Sequence, residues 1–200
     1  MQIDSTKMLE TMAHAVFAGA EELTELDSAI GDADHGLNMT RGFQAVLAEK
    51  GNILSKPLPE AVNAMGYTLV MKIGGASGPL YGTLFMTLGK ELTPCPTTSD
   101  LGRSLTAAGE AVSSRGKAEI GHKTMLDVLL PVAAHVASGT ATIDSVRRLA
   151  AECAKATVPM KALRGRASYL GERSIGHMDP GARSCEILID AVCDVLAGKQ

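Results

Sequence analysis

Apolar residues recur with a period of 3.6 along nearly the whole chain, and strand-like alternation is almost absent. Between Thr142 and Val158, the residues Val146, Leu149, Ala150, Cys153 and Thr157 fall at i, i+3, i+4, i+7 and i+11, while Arg147, Arg148 and Lys155 face elsewhere. That segment reads as one amphipathic helix. A second runs through Cys185, Leu188, Ala191, Val192 and Val195 and opens on Asp179-Pro180, an N-cap followed by proline at the first helical position. Further helices are predicted over 4–29, 36–49, 57–72, 77–91, 98–115 and 123–138, bounded by Gly31, Gly51-Asn52, Gly74-Gly75, Pro94 and Pro96, Gly116 and Gly139. Eight helices with mostly short connections predict an all-α fold, an antiparallel bundle. Pro131 is expected to kink its helix, because it removes a backbone donor and crowds the preceding turn.

A chain of 200 residues is long enough for one well-buried domain, residues 1–200, and nothing in its length demands a second. With 19 Lys and Arg against 22 Asp and Glu, the net charge of -3 offers no field for nucleic acid or an anionic membrane. No apolar run approaches the roughly 20 residues of a bilayer span, and Met-Gln-Ile-Asp-Ser-Thr-Lys lacks a signal-peptide apolar region, so a cytoplasmic protein is expected. Cys95, Cys153, Cys185 and Cys193 form no Cys-x-x-Cys pair and are read as reduced core thiols.

Three irregular stretches, 27–36, 116–123 and 164–179, hold nearly all the chemical signal. The first reads Asp27-Ser-Ala-Ile-Gly-Asp32-Ala-Asp34-His35-Gly36-Leu37-Asn38. Carboxylates so close repel one another unless a hard cation neutralises them, and oxygen-only ligands favour magnesium or calcium over zinc. The bland alternative is an acidic loop capping a helix. Asp27, Asp32 and Asp34 supply more oxygens than one magnesium usually takes from protein, so a pair of ions about 4 Å apart is reasonable. The helix that follows would aim unpaired N–H groups at anionic oxygens, making His35, Gly36 and Asn38 phosphate-side candidates.

An EF-hand fails on count, since its twelfth position falls on Phe43 and glycine stands fifth rather than sixth. No P-loop and no Gly-x-Gly-x-x-Gly after a strand occurs. Gly74-Gly75-Ala76-Ser77-Gly78-Pro79-Leu80-Tyr81-Gly82 would let backbone approach a ligand closely, or serve only close helix packing. Arg115 to Met125 and Arg164 to Gly181 place cations and flexible turns at helix ends. A lone lysine or arginine there is ordinarily solvated, and His14 and His135, inside helices, read as structural.

Taken together, Asp-x4-Asp-x-Asp-His-Gly-x-Asn, Gly-Gly-Ala-Ser-Gly-Pro-Leu-Tyr-Gly, Gly-x-Lys-Thr-Met and Gly-Arg-Ala-Ser-Tyr-Leu-Gly-Glu-Arg-Ser-Ile-Gly-His-x-Asp-Pro-Gly-Ala resemble the nucleotide-binding L subunit of bacterial dihydroxyacetone kinases, in order over residues 21 to 184. The resemblance implies an antiparallel eight-helix barrel that holds ADP or ATP at one end through two Mg2+ ions. By position, Asp27, Asp32 and Asp34 match the metal ligands, and His35, Gly36, Leu37, Asn38, Ala76, Ser77 and Gly78 match phosphate contacts. Gly116 and Met125 match the adenine pocket, Asp179, Pro180 and Gly181 the loop closing the site, and Arg166 a nucleotide-contacting arginine. Arg166 is the catalytic candidate, steadying charge on the transferring phosphoryl group. The chain departs from the family pattern at His122, where aspartate is usual, and at Met178, where glutamine is common.

The resemblance further implies half of an enzyme. A separate K subunit would hold dihydroxyacetone, and the γ-phosphoryl group would pass in line to a substrate hydroxyl on that partner. A phosphohistidine carrier of the phosphotransferase system would rephosphorylate bound ADP, or ATP would exchange freely, and a separate L chain favours the first. Two other classes stay open: a nucleotide-loaded subunit that binds a transcriptional regulator, and a metal-dependent phosphohydrolase.

Overall fold

The computed structural model describes residues 4–198. The described residues form α1 (Ser5–Ala18), α2 (Ala20–Ile30), α3 (His35–Ala48), α4 (Lys50–Leu54), α5 (Leu58–Lys72), α6 (Ser77–Glu91), α7 (Thr98–Gly116), α8 (Leu126–Ala137), α9 (Ile143–Ala156), a 3-10 segment (Arg166–Ser174) and α10 (Pro180–Leu196), with no strand among them. The helix expected over 4–29 is two helices that meet at Gly19. A Cβ there would lie 2.7 Å from Ile187 Cδ1, so the bend accommodates a side chain from α10. The helix expected over 36–49 is extended by the short α4, whose Ile53 is buried. The eight expected spans are therefore ten α-helices. Starts are sharp where side chains cap them: Thr97 with Asp100 and Thr142 with Ser145 form reciprocal capping boxes, and Asp179 accepts from Ala182 N at 2.7 Å.

Each long helix packs on the next around a closed circuit, α1 on α3, then α5, α6, α7, α8, α9 and α10, which returns to α1. The link 73–76 spans less than about 19 Å even when extended. The 15-residue α6 is about 22 Å long. α5 and α6 can therefore only run in opposite directions. The same alternation puts the turns 31–34, 73–76, 117–125 and 157–179 at one end, and 55–57, 92–97 and 138–142 at the other.

Leu9, Met39, Phe43, Leu69, Phe85, Val112, Leu129 and Leu188 belong to one buried cluster inside this circuit. Beside it lies an apolar cavity of about 550 Å³ lined by residues including Phe85, Leu101, Leu105, Val132, Val146 and Leu188. Ser5 and Leu196 line a smaller apolar recess together with Leu58, Leu92 and Pro96, so the first and last helices meet at the end away from turn 31–34. α8 carries Pro131 and remains one helix through it. It starts at Leu126 rather than 123, because Lys123 is left-handed (φ 60°) and Asp127 turns back to accept from Gly121 N and Thr124 N at 2.5 and 2.8 Å. All four cysteines are free, but Cys95 is exposed in the α6–α7 link and is not a core thiol. No helix of the described residues is long and apolar enough to cross a membrane.

Candidate metal and nucleotide site

Asp27, in the last turn of α2, is buried and faces the start of α3. Its Oδ2 accepts from Asp34 N at 2.9 Å and His35 N at 3.1 Å, so the carboxylate caps α3 from across the turn. The capping alternative is thus realised by one oxygen. Gly31 is required here, since a Cβ would fall 2.0 Å from Asp27 Oδ1, and Ala33 takes a left-handed φ of 61° that reverses the chain tightly. One carboxylate oxygen from each of Asp27, Asp32 and Asp34 then lies within 4.8 Å of the others. A hard dication fits this set, because all three donors are carboxylate oxygens.

Two glycine-built contacts frame the carboxylates. Gly75, with φ 63°, lies so that a Cβ would stand 3.9 Å from Asp34 Oδ2 and 3.8 Å from Asn38 Nδ2. Asn38 itself is buried. α6 then begins at Ser77 with no side chain capping it, which leaves first-turn N–H groups pointing out of its end. Gly36 serves packing: a Cβ would meet Ala20 O at 2.0 Å, so α2 and α3 touch through it. Leu37 is 58% exposed beside them.

The His35 ring is engaged on both nitrogens. Nδ1 stands 3.0 Å from Ser77 Oγ and Nε2 2.8 Å from Ser184 Oγ, which is 2.6 Å from the Tyr81 hydroxyl. Ser184 also donates to Gly181 O at 3.1 Å. Four buried or half-buried groups on α3, α6 and α10 thereby join the carboxylate turn to the loop carrying Gly181. Burial pushes the His35 pKa down despite the Asp27 and Asp34 carboxylates nearby. Ser184 and Tyr81 were not singled out from sequence; their partners lie 149 and 103 residues away along the chain.

Arg166 reaches back from the 3-10 segment, its guanidinium 2.6 Å from Asp32 Oδ2 and its side chain 62% exposed. Met125 is buried against Gly181, where a Cβ would stand 3.5 Å from Met125 N. Gly116, ending α7, approaches Leu80 in the first turn of α6. Asp179 caps α10, and its own N–H donates to Thr157 Oγ1 at 3.0 Å. Burial raises its pKa to about 7, with Asp127 and Asp27 adding to the rise while Ala182 N–H and Lys123 oppose it. Lys123 corrects the surface reading of the loop lysines: it is 1% exposed. His135, by contrast, plays the structural part expected, pairing with Ser145 Oγ at 2.7 Å between α8 and α9.

Comparison with known proteins identifies the family. The model of the DAK2 domain matches residues 29–194. The ADP-binding subunit DhaL of the PEP-dependent dihydroxyacetone kinase of Escherichia coli K12 is 40% identical over 190 residues, covering 90% of each chain. That of the PTS-dependent kinase of Lactococcus lactis is 39% identical over 180 residues, 88% of each. The dihydroxyacetone kinase of C. freundii, solved in complex with AMP-PNP and Mg2+, superposes with a TM-score of 0.75 at 21% identity over 97% of this chain, which spans 35% of that longer one. The chain therefore belongs to the DAK2-domain family, alongside relatives named as ADP-binding DhaL subunits of dihydroxyacetone kinase.

Proposed function

We propose that this chain is the nucleotide-binding subunit of a multisubunit dihydroxyacetone kinase, passing the γ-phosphoryl group of magnesium-bound ATP to a hydroxyl of dihydroxyacetone on a separate K subunit and retaining ADP. The observation that carries the reading is the three-carboxylate cluster, preformed within 4.8 Å at the start of α3 and faced by the Gly75 turn. Asp27, Asp32 and Asp34 would hold two Mg2+ ions, which when bound neutralise the phosphate oxygens.

The chain's own groups do the rest. Asp27 orients the turn through Oδ2 and keeps Oδ1 for the metal. The open N-terminus of α6 at Ala76, Ser77 and Gly78, with His35, Gly36, Leu37 and Asn38 opposite, receives the phosphates. Gly116 and Met125 flank the adenine, and Asp179, Pro180 and Gly181 close the site. Arg166 exchanges Asp32 for the transferring phosphoryl group. An exposed ion pair is worth only about 0–1 kcal/mol, so that exchange costs little.

Rephosphorylation of bound ADP by a phosphohistidine carrier is supported by relatives whose names are PEP- or PTS-dependent ADP-binding subunits. A D-erythrulose kinase, 34% identical over 199 residues, supports the second reading, an ATP-exchanging kinase for a related keto-sugar. Gel filtration in magnesium followed by denaturation decides between them. Stoichiometric ADP, released earlier only by chelator and absent from Asp32→Ala, is expected. Reversible ATP binding by an empty chain would favour the second reading, and binding of neither would refute both.

A further inference from the structure

Lys123 is a charged side chain withdrawn almost wholly from water, on a backbone whose left-handed φ a side chain rarely adopts. Its Nζ donates to the carbonyls of His177 at 2.5 Å, Ser174 at 2.7 Å, Met160 at 3.0 Å and, at the edge of bonding distance, Val158 at 3.5 Å. Four acceptors around one nitrogen call for the ammonium, whose hydrogens serve them. Two of the carbonyls belong to the entering pass of the 157–179 connection and two to its return. Between them lies the 3-10 segment with Arg166.

Other bonds close the same neck. Gly176 N donates to Val158 O at 2.8 Å, Ala162 N to Ser174 Oγ at 2.9 Å, and Leu163 N to the carbonyl of His122, the residue before Lys123, at 3.2 Å. Beyond the neck, the segment is attached through a small cluster of Ala162, Ala167 and Leu170 with Ile30, and through the Arg166–Asp32 pair. The neck is many-bonded, whereas the tip is lightly held.

Resting on the nucleotide reading above, we infer that Lys123 is a positioning residue: its ammonium ties both passes of the 157–179 connection into one neck, and so sets where Arg166 stands and how slowly bound nucleotide leaves. Lys123→Met keeps the side chain as far as Cε but removes Nζ and strands the carbonyls, and a planar guanidinium cannot fill a site shaped for a compact ammonium.

The test uses the full chain. In Lys123→Met, the amides of Leu163 and Gly176 should exchange with solvent about tenfold faster, while those of α5 and α6 keep their parent rates. ADP chased from its magnesium complex should leave about tenfold faster or more. Arg166→Ala should also speed release, and the double variant should be no faster than the faster single one, as required if Lys123 acts through Arg166. Propylammonium, which restores the atoms missing from Lys123→Ala, should slow release again, whereas tetramethylammonium should not. That rescue also carries the comparison if Lys123→Met fails to fold. Unchanged exchange at the neck, or release rates that multiply in the double variant, would overturn the inference. A parent chain that holds no ADP would defeat the nucleotide reading instead, and amide exchange would then decide the neck alone.

Discussion

In the proposed site Asp27 serves the fold with one oxygen and the metal with the other, and two substitutions should separate those duties. Asp27→Asn keeps an oxygen able to accept from both Asp34 N and His35 N, since both N–H groups point at the one oxygen. The amide nitrogen must then occupy the place of Oδ1, where it repels a cation. Asp27→Ala abolishes both bonds, and two hydrogen bonds to a charged acceptor are worth about 3 kcal/mol together. Against this stands repulsion among the carboxylates. At 4.8 Å each pair costs about 1 kcal/mol under water-like screening. Arg166 already offsets the charge of Asp32. Without metal, Asp27→Asn should therefore match or exceed the parent stability by about 1 kcal/mol, while Asp27→Ala falls about 2 kcal/mol below it. Saturating magnesium and ADP should reverse the first order, stabilising the parent by several kcal/mol and leaving both variants unmoved. Urea denaturation with and without magnesium–ADP measures all three. If the ligand raises the midpoint of Asp27→Asn as much as that of the parent, Asp27 is a cap and not a metal ligand.

Other expected outcomes follow from single contacts. Gly36→Ala drives a Cβ to 2.0 Å from Ala20 O, and since backbone cannot yield as a side-chain tip does, a loss of about 2–3 kcal/mol and a melting temperature lower by about 6 °C are expected by calorimetry. Ser184→Ala leaves His35 Nε2 without its partner and Tyr81 with only a 3.4 Å bond to Gly181 O; it should cost about 2 kcal/mol in denaturant titration and weaken ADP binding measured by calorimetry. Asp179 holds a proton in the folded chain up to about pH 7 that the unfolded chain releases near 4. Its contribution is therefore full below about pH 4 and is lost as pH rises through 7, by at most about 4 kcal/mol. Asp179→Asn, which still caps α10, should flatten that part of the stability–pH curve, and an unchanged slope would refute the assignment. Arg166→Ala should lower turnover with the partner subunit by about three orders of magnitude in a coupled assay.

Helix positions were legible because each carries its own period and caps within a few residues; Thr97 with Asp100 and Thr142 with Ser145 are signals three residues long. The break at Gly19 was not, because its cause is Ile187, which reaches it only once α10 has packed. The clustering of Asp27, Asp32 and Asp34 was legible for the same local reason, since all three lie in and beside one turn. Lys123 read as a solvated cation because its partners are backbone carbonyls, which every residue type presents alike and which leave no mark on a sequence. His35 lies beside the carboxylate turn as its sequence position requires, yet the engagement of both ring nitrogens by Ser77 and Ser184 depends on three helices meeting.

Ser5 and Leu196 line one recess at the end away from the carboxylates, and the 17-residue α10 puts about 25 Å between that recess and Asp179. Extra polypeptide grafted at either of these positions emerges on the blind side of the molecule, clear of the carboxylate end and of anything that docks there. The same unit can thus be spliced into a larger protein without redesign of its chemistry. That suits a family in which it accounts for 90% of one relative and 34% of another.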